Sequence, residues 1–141
     1  MILTIRTDKP EAELGLYDKN GTELAYETWE AHRQLAETIH LQIAKLLQFV
    51  SGDSSDLQAP SLKSINIVTG IVVYAGPGSY TGLRIGMSVG NALACSLGCQ
   101  IVATKSQDWQ KNGLELLAAG RGGAIALPYY EEPAKTTKPR K

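Results

Sequence analysis

Several residue types that catalytic and metal-binding proteins rely on are scarce in this sequence. Its 141 residues include two cysteines, two histidines and one phenylalanine. His32 and His40 are eight residues apart, about two helical turns, which is too far to share one metal ion. Cys95 and Cys99 are four apart on one predicted helix, where we expect them to be buried as small residues, and they make neither a disulfide framework nor a zinc site. We therefore expect no metal and no cofactor.

Strong net charge and long apolar runs are also missing. Fourteen basic residues balance fourteen acidic ones, so no overall field would hold a nucleic acid. No stretch approaches the roughly 18 consecutive apolar residues of a membrane span, and the first residues lack the basic start of a signal peptide, so we expect a cytoplasmic protein without a membrane contact. A basic cluster lies near the end of the chain, where a solvated tail is expected and a weak contact to RNA phosphates is the alternative: Lys135, Lys138, Arg140 and Lys141.

The chain is organised around the stretch from residue 71 to residue 98. The apolar run Ile71–Ala75 predicts a strand buried on both faces. Gly76–Gly78, with a central proline, breaks that strand, and Ser79 or Thr81 can then cap a helix over Gly82–Leu97.

That helix carries small residues at every fourth position. Gly82, Gly86, Gly90, Ala94 and Gly98 form one stripe along its side. Each interior glycine costs a helix roughly 0.5–1 kcal/mol relative to alanine, so the stripe indicates close approach of another backbone. The stripe is explained equally well by packing on the chain's own sheet and by a contact with another molecule.

The rest of the chain alternates strand and helix patterns. Asn20-Gly21 is a strong hairpin signal. We predict an α/β fold with a mixed sheet, in the order β-β-β-α-β-α-β-α. A domain over residues 1–120 is followed by a C-terminal arm over 121–141, partly disordered. Besides the stretch just described, the predicted segments are strands Ile2–Thr7, Glu13–Tyr17 and Glu23–Trp29, helix Ala31–Val50, a loop over Ser51–Ser64, strand Gln100–Ala103, helix Ser106–Ala119, and a last strand or extended arm over Ala124–Tyr130.

The predicted helix Ala31–Val50 is apolar over more than half of its girth. Its inward stripe includes Leu35, Ile39 and Ile43, and further apolar residues such as Leu41 and Phe49 lie outside that stripe. A helix of this kind is usually covered on two sides, so it also looks prepared for a second partner.

The turn Gly76–Gly82 has the ingredients of a phosphate cradle. Its candidate anion-binding residues are Gly76, Gly78, Ser79 and Thr81, at the start of a helix. A P-loop, however, has Gly-Lys-Ser/Thr where this sequence has Gly-Leu-Arg, and the third glycine is one residue late for a dinucleotide fingerprint. Arg84 is better explained by a salt bridge on the helix face.

With no G-x-S-x-G elbow and no paired carboxylates, an independent catalytic site is not expected.

These residues carry a resemblance to a known family. The run A-G-P-G-S-Y-T-G-L-R-I-G-M-S-V-G-N-A-L-A closely resembles the signature of the TsaB (YeaZ) family. M-I-L-T-I-R-T, A-H-R-Q-L-A-E-T-I and L-P-Y-Y-E-E-P-A-K are similar to that family's first strand, first helix and C-terminal motif. The resemblance implies the ribonuclease H-like fold of the actin-like ATPases (ASKHA). It also implies a non-catalytic scaffold role in making N6-threonylcarbamoyladenosine at position 37 of tRNA (t6A37).

The resemblance also implies partners. A TsaD-like subunit would carry the metal and the transferase chemistry, would dock on the two helices singled out above, and would link the chain to a TsaE-like ATPase. Contact with tRNA would be indirect or weak, and the chain alone would form a homodimer through the same helices. The interface residues expected on this basis are Leu35, Ile39, Ile43, Gly82, Arg84, Gly86 and Gly90.

Two departures from the family pattern bear on function. The acidic residue of the family's first strand is Arg6 here, which opposes a nucleotide or metal site. The family usually has a second domain of roughly another hundred residues, so the chain resembles a shortened, single-domain version. Three alternatives remain: a nucleotide-binding or phosphotransfer enzyme that uses the Gly76–Gly82 turn, a peptidase, and a homodimer with a different role.

Overall fold

The computed structural model describes residues 1–31, 34–51 and 66–126. Strands and helices alternate along these residues in the predicted order. The elements are β1 (Ile2–Arg6), β2 (Glu11–Tyr17), β3 (Glu23–Glu30), α1 (Leu35–Ser51), β4 (Gly70–Tyr74), α2 (Tyr80–Leu97), β5 (Gln100–Thr104) and α3 (Trp109–Ala118). His32, nearly all of the predicted Ser51–Ser64 loop and the tail from residue 127 onward lie outside the described residues.

The described strands form a five-stranded mixed sheet in the order β3-β2-β1-β4-β5. β1 pairs antiparallel with β2 and parallel with β4, which in turn pairs parallel with β5. The hairpin between β2 and β3 turns at Gly21, whose φ is +86°, and Asp18 Oδ1 accepts the backbone N–H groups of Asn20 and Thr22 at 2.8 and 2.9 Å. The predicted fold class and the hairpin are confirmed.

Helices cover the two faces of the sheet unequally. α1 and α2 pack on one face, where Ile39, Ile43 and Met87 join Ile71 and Val73 of β4 in the larger core cluster. α3 packs on the opposite face. The strand residues on that face include Val72 and Val102, which form a smaller core cluster with Trp109 of α3. Because side chains alternate along β4, the unbroken apolar run predicted from the sequence serves both faces.

Some predicted boundaries shift for local reasons. α2 begins at Tyr80 rather than Gly82, with Ser79 in the N-cap position but without a side-chain cap bond. The expected opening of α3 at Ser106 is wrong. Ser106 has a φ of +75°, a left-handed conformation that does not start a helix, and α3 begins at Trp109.

In the described part of the chain, no helix combines the length and apolar character needed to cross a membrane.

Candidate partner-docking face and the strand-end cluster

The Gly76–Gly82 turn lies directly against the end of β1. Thr7 Oγ1 donates to the carbonyl of Gly82 at 2.6 Å, and the N–H of Ser79 donates to the carbonyl of Asp8 at 3.2 Å. Gly78 touches the Asp8 side chain so closely that a Cβ at this position would overlap the carboxylate. The glycines of this turn thus leave room for the two residues that follow β1.

Arg6 and Asp8 form an ion pair at the same strand end. Arg6 Nε donates to Asp8 Oδ1 at 2.7 Å and Arg6 Nη2 donates to Asp8 Oδ2 at 3.3 Å. The Asp8 side chain is 5% exposed and that of Arg6 is 20% exposed. The guanidinium also lies 4.0 Å from the centroid of the Tyr74 ring, whose hydroxyl donates to the carbonyl of Pro77 at 2.7 Å. The pair therefore joins β1 to β4 and to the turn that follows it.

The charges of this cluster compensate one another. Burial by itself lowers the pKa of Arg6, but the hydrogen bond and negative charge of Asp8 outweigh it, so the pKa of Arg6 is raised. Glu13 Oε2 lies 3.7 Å from Arg6 Nε and 3.5 Å from the ammonium of Lys9. The carboxylates at this strand end are thus engaged by cations of the chain itself.

This arrangement bears on the candidate anion site. Gly76, Gly78, Ser79 and Thr81 do lie together, yet the Asp8 side chain already occupies the space beside Gly78, where an anion would have to enter. Anion binding by the turn stays a prediction that its neighbours oppose. Within residues 1–31, 34–51 and 66–126, no group of three or more His, Cys, Asp and Glu side chains is placed to hold a metal ion.

The glycine stripe of α2 faces the chain's own sheet. A Cβ on Gly82 would overlap the carbonyl oxygen of Thr7, and one on Gly86 would overlap Thr7 Oγ1. A Cβ on Gly90 would lie 2.7 Å from Val73 Cγ2. Gly86 and Gly90 are buried against β1 and β4, whereas Gly82 is half-buried and lines a groove beside α2, so a partner contact of these glycines stays a prediction.

The three apolar interface residues expected on α1 also point inward. Leu35 is 6% exposed, and Ile39 and Ile43 are fully buried in the larger core cluster. Leu35 also lines the groove beside the start of α2, whereas Ile39 and Ile43 lie inside the core, so a partner contact of these residues stays a prediction. Arg84, by contrast, is exposed, and its guanidinium lies 5.7 Å from the centroid of the Tyr80 ring. Of the expected interface residues, Arg84 is the exposed one, and Gly82 is half-buried.

The outer face of α2 is different in character. Its exposed residues are small or polar, and Arg84 is the charged side chain among them: Tyr80, Thr81, Arg84, Ser88, Ala92, Cys95 and Ser96. The helical spacing of Ser88, Ala92 and Cys95 makes a second small-residue stripe, which we call the outer stripe. Cys95 is exposed rather than buried as expected, because it belongs to this stripe, whereas Cys99 is half-buried.

α1 lies beside α2 and adds apolar surface. Leu41 is 40% exposed and Phe49 is 75% exposed. A groove of about 860 Å³ separates the first turns of the two helices, with Ala36 and Ile85 among its lining residues. The same groove is lined by Asp8, Lys9 and Glu30 at its edge with β1 and β3, so it combines apolar and charged groups. An exposed apolar residue on its own is ordinary, but a low-charge helix surface beside such a groove is typical of a contact site. We call the outer stripe together with this groove the docking face.

The outer stripe is also visible in the sequence as a four-residue repeat, but the glycine repeat on the same helix has the same spacing and is more conspicuous. Ser88 and Ala92 recur at the same four-residue spacing as the glycines, two positions further along the chain. Periodicity shows that both stripes exist on different sides of one helix. It does not show which side meets the sheet, since small residues suit both.

The sheet order, the helix placement and the strand-end turn define a ribonuclease H-like domain of the ASKHA class, and comparison with known proteins agrees. A family model described as TsaD: tRNA N6-adenosine threonylcarbamoyltransferase matches residues 29–110, more than half of the chain. The chain therefore belongs to this family, and within it the chain is TsaB/YeaZ-like.

The relatives behind that statement are longer than this chain. The Escherichia coli (strain K12) protein named tRNA threonylcarbamoyladenosine biosynthesis protein TsaB is 29% identical over 111 residues, which cover 74% of this chain and 46% of that protein. The structure of YeaZ from Pseudomonas aeruginosa matches with a TM-score of 0.59 and 22% identity, over 74% of this chain and 43% of that one. A second structure, described as similar to peptidase YeaZ from Pseudomonas aeruginosa, matches with a TM-score of 0.57 at 22% identity, over 74% and 42%. The chain thus spans somewhat less than half the length of these relatives.

Proposed function

We propose that the chain acts in the formation of t6A37 in tRNA as a non-catalytic scaffold subunit that docks on a TsaD-like threonylcarbamoyltransferase and activates it. The family match and the name of the E. coli relative support the pathway. Through the TsaD-like subunit, the chain would act together with a TsaE-like ATPase, and its contact with tRNA would be indirect.

The observation that carries this proposal is the docking face. Ser88, Ala92 and Cys95 present short side chains to the exterior, so the backbone of a partner helix can approach α2 closely. Burial of Ala36 and Ile85 at such a contact would remove apolar surface from water. In the absence of the partner, the same face would pair with a second copy in an isologous contact.

A scaffold role is further supported by the strand-end cluster. In open α/β sheets, ligands bind in the crevice outside the carboxyl ends of the strands, which here include the ends of β1 and β4. Here Asp8 is nearly buried and held by two hydrogen bonds from Arg6, while the Gly76–Gly82 turn packs on the end of β1. Chemistry at this position would have to break that ion pair first.

The proposal is tested by size-exclusion chromatography with light scattering, on the chain alone and mixed with the TsaD-type protein from its own genome. We expect a homodimer alone and a heteromeric complex in the mixture. Ser88→Arg and Ala92→Arg should abolish the complex, because each places a long charged side chain in the close contact. Asn112→Arg is the matched control, since Asn112 is also exposed but lies on α3, on the opposite face of the sheet.

The outcomes separate the alternatives. A chain that never joins the TsaD-type protein contradicts the scaffold role. If the Ser88→Arg and Ala92→Arg chains still form the complex, the scaffold role remains supported, but the docking face is not the contact site. Calorimetry with ATP and Mg²⁺ on the chain alone addresses the nucleotide-binding alternative, because the scaffold proposal expects no binding heat.

A further inference from the structure

A pocket of about 420 Å³ lies at the carboxyl ends of β1, β4 and β5. These three strands run parallel, so their carboxyl ends lie along one edge of the sheet. In open α/β sheets this is the edge at which ligands bind. The pocket is lined by the last residues of β1 and β4 and by the segments that follow β4 and β5: Arg6, Tyr74, Pro77, Lys105, Ser106 and Gln107.

The Arg6 guanidinium is held in place and keeps hydrogen-bonding capacity in reserve. Its Nε and Nη2 atoms donate to the Asp8 carboxylate, and its central carbon lies 4.0 Å from the centroid of the Tyr74 ring. A guanidinium has more N–H donors than these two bonds use, and within the described residues the remaining ones reach no acceptor. Asp8 lines the groove of the docking face rather than this pocket. The ion pair therefore orients the guanidinium and leaves part of it for a ligand.

The segment that follows β5 brings a second cation to the pocket. Lys105, Ser106 and Gln107 are exposed and line it together. Ser106 has a left-handed φ of +75°, and its N–H donates to the carbonyl of Gly76 at 3.4 Å. Such a conformation is strained for a residue with a side chain, and strained residues concentrate at ligand sites. This turn places an ammonium, a hydroxyl and a side-chain amide around the same pocket as the guanidinium.

The charges around the pocket favour an anion over a cation. Among the described residues, no carboxylate lines it, whereas Arg6 and Lys105 both do. The carboxylates paired with Arg6 are those of Asp8 and Glu13, and Glu13 is shared with Lys9. Three cations thus face two carboxylates, and the excess charge is positive. A metal ion would be repelled by the same residues that attract an anion.

We propose that this pocket binds a phosphate group that carries no metal ion. A phosphate presents acceptor oxygens in several directions, which suits a guanidinium and an ammonium that approach from two different strands. The site is distinct from the anion site predicted at the Gly76–Gly82 turn, since Asp8 fills the space beside Gly78 while this pocket lies toward the end of β5. The phosphate belongs either to a small molecule, as a free ion or monoester, or to an RNA backbone, as a diester. The proposal does not rest on the scaffold role.

The pocket is tested by NMR titration of the ¹⁵N-labelled chain with inorganic phosphate at constant ionic strength. We expect saturable shifts at the Arg6 Nε–H and at the backbone amides of Ser106 and Gln107. Gln107→Glu should weaken binding at least about fivefold, because it places a carboxylate in the pocket. Gln110→Glu is the matched control: the same charge change lies on α3, in the lining of a different groove, and should alter the affinity about twofold at most. Shifts without saturation, or an equal loss in both variants, overturn the pocket.

Removal of the second cation gives an independent test. Lys105→Ala should weaken phosphate binding about fivefold, because an ammonium of the lining is lost. Lys111→Ala is the matched control, since Lys111 is an exposed lysine of α3 that lines the other groove. Circular dichroism checks that both variants are folded. An unchanged affinity in Lys105→Ala, or the same loss in Lys111→Ala, contradicts recognition by the pocket.

The chemical form of the ligand is tested on the same NMR signals. Mg²⁺ should weaken the binding of ADP at least about threefold, because the metal engages the phosphate oxygens and finds no carboxylate in the described lining. Stronger binding with Mg²⁺ overturns a metal-free site. AMP and the dinucleotide ApA separate the two sources: tighter binding of AMP supports a small-molecule phosphate, and equal or tighter binding of ApA supports an RNA phosphate. Binding of neither overturns the proposal.

Discussion

The two sides of α2 carry similar small residues for different reasons. On the inner side, Gly82 and Gly86 leave room for the end of β1, where a single added methyl group would overlap Thr7. On the outer side, Ser88 and Ala92 meet solvent and have space around them. Small residues at helical spacing are therefore not one signal. What they permit depends on which side of the helix is already occupied.

The comparison also separates two consequences of substitution. A larger side chain on the inner side is expected to damage the fold, whereas one on the outer side is expected to damage only a contact with a partner. A Gly86→Leu change, which the glycine stripe alone would suggest as a test of docking, would disturb the packing on Thr7 first. The following predictions test this separation, starting with the largest expected effect.

Gly82→Ala should destabilise the domain by about 3 kcal/mol, because its new methyl group meets the backbone carbonyl of Thr7, which cannot rotate away as a side chain can. Urea unfolding followed by circular dichroism measures this. Gly90→Ala should cost about 1 kcal/mol, since Val73 and Ile101 side chains can adjust. Ser88→Ala on the outer side is the control and should change stability by about 0.5 kcal/mol at most. Equal losses for Gly82→Ala and Ser88→Ala would refute the assignment of sides.

Arg6→Ala should cost about 2 kcal/mol, because it leaves the nearly buried Asp8 carboxylate against Gly78 without its partner. The double variant Arg6→Ala, Asp8→Ala should recover part of this loss, and thermal unfolding compares the three proteins. Lys9→Ala is the control, since Lys9 pairs with Glu13 but is half exposed. If Lys9→Ala cost as much as Arg6→Ala, the ion pair would not be what stabilises the inner contact.

The reactivity of the two cysteine thiols tests which side of α2 faces solvent. Cys95 is exposed on the outer stripe, while burial raises the pKa of the half-buried Cys99 thiol. Because the thiolate is the reactive form, Cys95 should react with Ellman's reagent about tenfold faster at pH 8. Cys95→Ser and Cys99→Ser chains, each with one thiol, make the measurement. Faster reaction of Cys99 would place the outer face elsewhere on α2.

Glu27 of β3 gives the smallest effect. Burial raises the pKa of Glu27, and the nearby charge of Lys45 on α1 lowers it only in part. A raised pKa means that the folded state favours the protonated form, so this contribution to stability is present below the ordinary value of 4.5 and is lost as the pH rises through the folded pKa. Glu27→Gln should therefore be slightly more stable than wild type at pH 7, and the difference should shrink toward pH 4. A difference that does not change with pH would contradict burial as its cause.

Much of the fold follows from short-range patterns in the sequence. The buried run at Ile71–Ala75, the Asn20-Gly21 turn and the apolar spacing of the first helix each predict an element that the structure contains. These features are encoded within a few residues, and their backbone preferences do not depend on distant contacts. Resemblance to the TsaB (YeaZ) family then supplied the fold class.

The candidate site was harder to predict, because it depends on contacts far apart in the chain. Nothing near Gly82 in the sequence indicates that Thr7 will fill the space beside it. The pairing of Arg6 with Asp8 depends on where the chain turns after β1, and the bond from Asn91 to Ala126 spans 35 residues. Such contacts follow from topology, which a helical period does not describe.

The contact between Gly82 and the carbonyl of Thr7 has a consequence for protein engineering. If α2 docks through its outer side, as proposed, a library that randomises residues 88, 92 and 95 while holding 82, 86 and 90 as glycine would vary partner choice with little change in stability. The same number of mutations spread over the inner positions would return mostly destabilised proteins. In a selection for new partners, α2 would thus accept diversity on one side and reject it on the other.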